Sequence, residues 1–309
     1  MKILVTGGAG FIGSNLVRRA LAQGWEVGVL DNLSTGYRAN LDGLDVELFE
    51  GSLLDPDLLA RACSGVEAVV HLAALGSVPR SIVDPVSSHL TNATGTLLVL
   101  EQARRSGVGQ VIVSSSSSVY GMNPALPKSE REWVRPMSPY AVSKLAAEQY
   151  TLAYQQSFGL TTLAFRFFNV FGPYQRAGHV YAAVIPKFVD ALLADEPLVV
   201  FGDGTSSRDF TYVGTVCEVL LAAVRGRVTS PEPVNLAFGT NTTLLNLIAA
   251  LTEATGLTPE VSFQAPRSGD VPHSQADSTR LRTLFPDVSP VTLTEGLRHT
   301  LDWFRELTG

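Results

Sequence analysis

Short apolar runs alternate with longer amphipathic stretches along the first 170 residues of the chain. Ile3 to Thr6, Val27 to Leu30, Val46 to Phe49, Ala68 to Leu72, Val111 to Ser114 and Thr162 to Phe168 have strand length, and several are too apolar throughout to leave one face in water. Between them, Ser14 to Gln23, Pro85 to Arg105 and Pro139 to Phe158 have helical length and spacing, with Gly24 and Gly107 as stop signals after the first two. Strands joined by crossover helices predict a parallel sheet covered on both faces. After Asn169 the texture changes. Gly172-Pro173, Glu196-Pro197, Gly202-Asp203-Gly204, Ser230 to Pro233 and Pro266 to Pro272 interrupt shorter segments, predicting a smaller, loop-rich lobe. Its expected helices are Ala182 to Ala194, Val213 to Arg225, Leu244 to Thr255 and Leu293 to Glu306.

Composition narrows the class. With 309 residues, 45% of them hydrophobic and 17% charged, the chain can fill one large core or add a small second domain, and it is neither disordered, collagen-like nor disulfide-stapled. The 23 basic and 29 acidic residues leave a net charge of -6, so no global positive field points to nucleic acid or an anionic membrane as partner. Cys63 and Cys217 are the two cysteines, and they lack metal-ligand spacing; no metal is expected. A glycine-rich turn four apolar residues into the chain leaves no room for a signal-peptide core, and no uncharged apolar stretch reaches 18 residues. A cytoplasmic location is therefore expected.

Candidate chemistry begins at that turn. Gly7-Gly8-Ala9-Gly10-Phe11-Ile12-Gly13 lies between the first strand and first helix and reads GxxGxxG through Gly7, Gly10 and Gly13. Glycines there allow a tight turn and let backbone N–H groups approach a pyrophosphate at the helix N-terminus. Asp31 closes the next strand, where a carboxylate accepts hydrogen bonds from an adenosine ribose and repels a 2′-phosphate; NAD is favoured over NADP. The expected fold is thus α/β, a Rossmann-type doubly wound parallel sheet over residues 1–170. Residues 171–309 form a smaller C-terminal α/β substrate-binding lobe, with some segments returning to the first domain.

Tyr140-Ala141-Val142-Ser143-Lys144 puts a phenol and an ammonium four residues apart on one helix face. A phenol that serves as base near pH 7 needs roughly 4 kcal/mol of help from neighbouring positive charge, for which Lys144 and an oxidised nicotinamide are the candidates. Ser114 to Ser118, at the carboxyl end of a strand, supply a hydroxyl for a substrate oxygen.

Taken together, TGGAGFIGS, DNLSTG, HLAA at His71 to Ala74, SSSSSVYG, SPYAVSK, RFFNVFGP from Arg166, GDGTSSRDFTYV from Gly202 and RSGDVPHSQAD from Arg267 resemble the extended short-chain dehydrogenases/reductases, and within them the nucleotide-sugar 4-epimerases and dehydratases, over nearly the whole chain. The resemblance implies Tyr140 as base, Lys144 as its activator and Ser116 as the hydroxyl on the reacting oxygen. For NAD it implies Gly7, Gly10, Phe11, Ile12, Gly13, Asp31, Asn32, Ser52, Leu53, Leu72, Ala73, Ala74, Asn92 and Ser114, together with Tyr140 and Lys144. Gly51-Ser52-Leu53 departs from the family's frequent Gly-Asp, which weakens the adenine contact. For a UDP-sugar it implies Ser77, Ser116, Ser117, Tyr140, Asn169, Arg176, Val184, Lys187, Phe201, Arg208, Arg267 and Asp270. Tyr212-Val213-Gly214-Thr215 departs from the family's YVxD, so a different helix cap is expected.

Dehydratases of this group carry an acidic pair where this chain has Ser117 and Ser118, which leaves 4-epimerisation through a transient 4-keto sugar. Arg176, seven residues after Asn169, matches an arginine that holds the C6 carboxylate in UDP-glucuronate 4-epimerases, so conversion of UDP-glucuronate to UDP-galacturonate is expected. Threonine often stands at the Asn169 position in those enzymes. The Leu75 to Ser81 loop and Ser274 resemble UDP-N-acetylglucosamine epimerases, and UDP-N-acetylglucosamine and UDP-glucose remain alternatives. A UDP-glucuronate decarboxylase and a non-catalytic NAD-binding sensor are further readings. A homodimer through a four-helix arrangement is what the resemblance implies for assembly.

Overall fold

The computed structural model describes residues 1–178, 183–266 and 272–308. The first part of the chain runs β1 (Lys2–Thr6), α1 (Phe11–Ala22), β2 (Glu26–Asp31), β3 (Glu47–Glu50), α2 (Pro56–Ala62), β4 (Ala68–His71), α3 (Val78–Val83), α4 (Pro85–His89), α5 (Gly95–Arg105), β5 (Gln110–Ser116), α6 (Pro139–Phe158) and β6 (Thr162–Phe167). It continues through β7 (Asn169–Phe171), α7 (Val184–Leu193), β8 (Leu198–Phe201), β9 (Ser207–Arg208), β10 (Phe210–Tyr212), α8 (Val213–Arg225), β11 (Val234–Leu236), β12 (Thr242–Thr243), α9 (Leu244–Thr255), β13 (Val261–Gln264), α10 (Thr279–Leu284) and α11 (Leu293–Thr308).

Seven strands form one parallel sheet in the order β11-β6-β5-β4-β1-β2-β3. Every residue of β4 and β5 is buried, which is why those runs lack alternation. Strand order reverses between β1 and β4, and the carboxyl ends of these two open the crevice where ligands bind in such sheets. One face is sealed by α2, α5 and Tyr154 of α6 through Leu58, Leu59, Val99 and Leu100. On the other face α1 packs against α8.

The helix expected over Pro85 to Arg105 is divided. Asp84 caps α4 through the Ser87 N–H at 3.0 Å, and a π-turn at Leu90–Thr94 separates α4 from α5. Asn92 sits inside that turn with its side chain fully bonded, so the wider turn is set by tertiary partners that local spacing does not register. The short helices α2, α3 and α10 also escape periodicity. The first two are fixed by caps, Asp55 accepting from Asp57 N and Leu58 N, and Ser77 accepting from Arg80 N.

From the C-terminal part of the chain, α8 and β11 reach the main sheet. They add a covering helix and a seventh strand to the main sheet. Around them, β8 pairs in parallel with β13 while α11 packs on α7 and α9. Val5 of β1, Leu220 of α8, and Ile185, Leu247 and Leu301 of the lobe belong to a single buried core, so residue 170 marks a change of texture and not a break between cores. Helix α8 starts without a side-chain cap; the Thr215 hydroxyl instead accepts from Val291 N at 3.0 Å.

Candidate active site

The cleft at the β1/β4 switch point has a volume of about 580 Å³. Its floor is the glycine turn. Gly7 adopts φ +71°, and a Cβ there would lie 2.7 Å from the Ala73 backbone; a Cβ on Gly13 would lie 2.1 Å from Gly7 O. These approaches close the turn against the end of β4 and leave the N-terminus of α1 with no side-chain cap. Free N–H groups and the positive end of the helix dipole at a cleft floor suit a diphosphate. Asp31 stands beside them, Oδ2 accepting from Ala9 N at 3.0 Å and Oδ1 from Leu33 N at 2.8 Å. Burial raises the Asp31 pKa above the ordinary carboxylate value, and these two backbone bonds oppose the rise. Each oxygen keeps a lone pair for a ribose hydroxyl. The donor set therefore fits NAD. Phe11, Ile12, Asn32, Ser52, Leu53, Leu72, Ala73 and Ala74 line the same cleft.

Ser138 caps α6 by accepting from Ala141 N at 3.2 Å, with Pro139 in the first turn, and this start aims Tyr140 and Lys144 at the cleft. Lys144 Nζ donates to Ser114 O at 2.6 Å and Ser114 Oγ at 3.2 Å. Burial lowers its ammonium to about 8. The Tyr140 phenol is pushed above its ordinary value by burial, while its hydrogen bond with Ser116 pulls it down. Ser116 Oγ lies 2.5 Å from Ser118 Oγ. A half-buried phenol, a hydroxyl bonded to it and an ammonium one helical turn away can pass a proton to and from a substrate hydroxyl. Asn92 does not line the cleft. It stands behind the wall, its Oδ1 accepting from Leu75 N at 2.8 Å and its Nδ2 donating to Ser143 Oγ at 3.0 Å.

At the other end, Ser77, Ser117, Asn169 and Arg176 join the lining. The Ser77 oxygen is already the α3 cap acceptor. Asn169 Nδ2 donates to Asp209 O at 3.4 Å. The Arg176 guanidinium lies 4.2 Å over the Tyr37 ring, and its buried Nε has no acceptor among the described residues. Val184, Lys187, Phe201 and Arg208 are not among the cleft-lining residues; the adjacent Ala183 is. Arg208 Nη1 donates to Ser207 O and Pro272 O. Arg267 and Asp270 lie outside the described residues.

Sequence reasoning passed over three residues that matter here. Tyr37, six residues after Asp31, supports Arg176. Tyr174 holds φ +69° in the cleft wall, kept there by Arg18 Nε donating to its hydroxyl at 2.8 Å and by Trp303 at 5.4 Å. Asp209 is buried and gathers Gly239 N, Ala276 N and the Thr240 hydroxyl, tying the loops beside Arg208 together.

The chain is similar along nearly its whole length to known nucleotide-sugar epimerases. A UDP-glucose 4-epimerase of Mycolicibacterium smegmatis is 39% identical over 99% of both chains. The solved structure of a UDP-N-acetylglucosamine 4-epimerase from Methanobrevibacter ruminantium, in complex with UDP-N-acetylmuramic acid, superposes with a TM-score of 0.93 at 36% identity, covering 99% of this chain and 98% of that one. A UDP-glucuronic acid 4-epimerase from Bacillus cereus, solved with UDP-glucuronic acid and NAD, gives 0.89 at 30% identity, covering 99% of this chain and all of the other (100%). Residues 3–237 match the NAD dependent epimerase/dehydratase family. With the glycine turn, Asp31 and the Ser116, Tyr140 and Lys144 set in one cleft, the chain belongs to that family.

Proposed function

We propose that the protein is an NAD-dependent UDP-sugar 4-epimerase acting on UDP-glucuronate. Bound NAD supplies a reversible acceptor for the hydride at C4. Tyr140 takes the C4 hydroxyl proton, Ser116 holds that oxygen, and Lys144 favours the phenolate by charge. Ser117 and Ser118 offer no carboxylate to expel the C6 group, which supports return of hydride over elimination.

Arg176 carries the choice of sugar. A buried guanidinium nitrogen with no acceptor among the described residues, in the wall of the cleft, suits a substrate carboxylate. A neutral UDP-hexose or UDP-N-acetylhexosamine is the second reading, favoured by the higher identity of the relatives named for those sugars. Anion-exchange chromatography of UDP-glucuronate incubated with protein and NAD tests this. A UDP-galacturonate peak that disappears in Tyr140→Phe supports the proposal, and release of carbon dioxide with a UDP-pentose would replace it with decarboxylation. Absence of any product with NAD tightly bound would favour the sensor reading. Arg176→Ala should raise KM for UDP-glucuronate much more than for UDP-glucose; equal effects would reassign Arg176 to the shared diphosphate.

We also infer a homodimer. Ile82, Val83, Val86 and Leu90 stand exposed beside Val142 and Tyr150 of α6, an apolar strip of the kind that a second copy covers. Light scattering after gel filtration reads the state directly. Among the described residues, no helix is long and apolar enough to cross a membrane.

A further inference from the structure

His71 ends β4, is 2% exposed, and does not line the cleft. Its ring nonetheless joins two walls of it. Nδ1 lies 2.7 Å from Thr6 Oγ1 and Nε2 lies 2.9 Å from Thr96 Oγ1. The proton positions follow from the neighbours. Thr96 Oγ1 is 2.6 Å from the backbone oxygen of Asn92, which can only accept, so the Thr96 proton is committed there and its oxygen must accept from His71 Nε2–H. Thr6 Oγ1 accepts from Ala73 N at 3.3 Å and donates to the bare Nδ1. The opposite tautomer would strand the Thr6 proton at a fully buried site and compete with the Thr96 to Asn92 bond. Burial, aided by the charge of Lys144, lowers the imidazole pKa to about 3 and keeps the ring neutral.

Both arms end on groups next to the reaction. One fixes the Ala73 N–H, at the residue that packs on Gly7. The other fixes the π-turn carbonyl of Asn92, whose side chain holds both polar groups of the Leu75 backbone and the Ser143 hydroxyl; Ser143 in turn donates to Tyr140 O at 2.8 Å. The backbone oxygen of His71 also accepts from Ser114 Oγ, the group that Lys144 touches.

We propose that His71, as a neutral ring protonated at Nε2, is a positioning residue that sets the spacing between the Ala73 strand end and the Asn92 π-turn, and thereby the hold of the cleft on the dinucleotide between the two halves of turnover. This rests on NAD occupying the cleft and is independent of the sugar.

Three variants separate the arms. In His71→Asn the amide oxygen can take over the Nδ1 role toward Thr6; in His71→Gln the amide nitrogen can take over the Nε2 donation toward Thr96; His71→Phe removes both. The expected result for His71→Phe is a kcat lowered about 10- to 100-fold, as for small misplacements of a reacting geometry, with KM little changed. Reduced dinucleotide should accumulate on the protein, read as absorbance at 340 nm after substrate is added, because a displaced dinucleotide returns its hydride to the 4-keto sugar more slowly. At least one amide variant should restore part of kcat and reduce that accumulation. Ring ¹⁵N spectra of the histidine-labelled wild type should show one neutral Nε2–H ring that does not titrate between pH 7 and pH 5.

An Nδ1–H tautomer, wild-type kcat in His71→Phe, or three variants that lose activity only in proportion to folded protein would each overturn the proposal. Failure of folded wild-type protein to bind NAD would overturn the cofactor reading first, and the proposal with it.

Discussion

The ammonium of Lys144 is held 2.6 Å from the backbone oxygen of Ser114, so the charge that must support Tyr140 is anchored to the strand that also carries Ser116. In the proposed mechanism, proton acceptor, charge and substrate hydrogen bond are thereby referred to one rigid element. A loss in any of the three should appear mainly in kcat, because each acts on the reacting atoms.

The lowered Lys144 pKa has a direction that kinetics can read. A lysine that loses its proton as pH climbs through about 8 withdraws its charge from the phenolate, so kcat/KM should fall on the alkaline side from that pH upward. Arginine stays protonated there. Lys144→Arg should react more slowly at pH 7, its fork no longer matching the Ser114 carbonyl, yet its alkaline decline should move above pH 9. An unmoved limb would assign the decline to another group.

Asp31 ties the glycine turn to the end of β2 with both oxygens. Asp31→Asn keeps one acceptor oxygen, loses the charge, and must turn an N–H₂ toward a backbone donor. NAD affinity should weaken about 10- to 100-fold, the range for a lost hydrogen bond to a charged group. NADP should weaken less, since the repulsion of a 2′-phosphate goes as well. Calorimetric titration with both dinucleotides gives the ratio.

Acid stability should carry the mark of His71. Its folded pKa of about 3 lies below the ordinary 6.5, so below pH 6.5 the unfolded chain binds a proton that the native ring refuses. Stability then falls as pH falls, by up to about 1.4 kcal/mol per pH unit from this one group. Urea unfolding at pH 7 and pH 5 should show a steeper loss for the wild type than for His71→Gln, which has no such ring. Equal slopes would mean that the imidazole is not kept neutral.

Much of the sheet was legible because β1, β4 and β5 are buried almost throughout, so that Ile3–Val5, Ala68–Val70 and Val111–Val113 appear as uninterrupted apolar runs. The glycine turn and the Tyr140 to Lys144 spacing were legible for a related reason: close backbone approach and helix geometry act over a few residues. What stayed hidden depends on partners far along the chain. The π-turn at Asn92 answers to Leu75 and Ser143, and the place of Arg176 answers to Tyr37. The return of Val234–Leu236 to the sheet was foreseen only in general terms, because a three-residue strand has too little pattern to say where it pairs.

That late strand also fixes an order of events during synthesis. Tyr140 and Lys144 emerge from the ribosome well before β11, and until Val234–Leu236 arrives β6 remains an open edge. The shared core is likewise incomplete until α8 and then α11 are made. A nascent chain halted near residue 170 would hold Ser116, Tyr140 and Lys144 yet present a bare strand and an unfinished core, so the site and the residues that complete its support are made at different times.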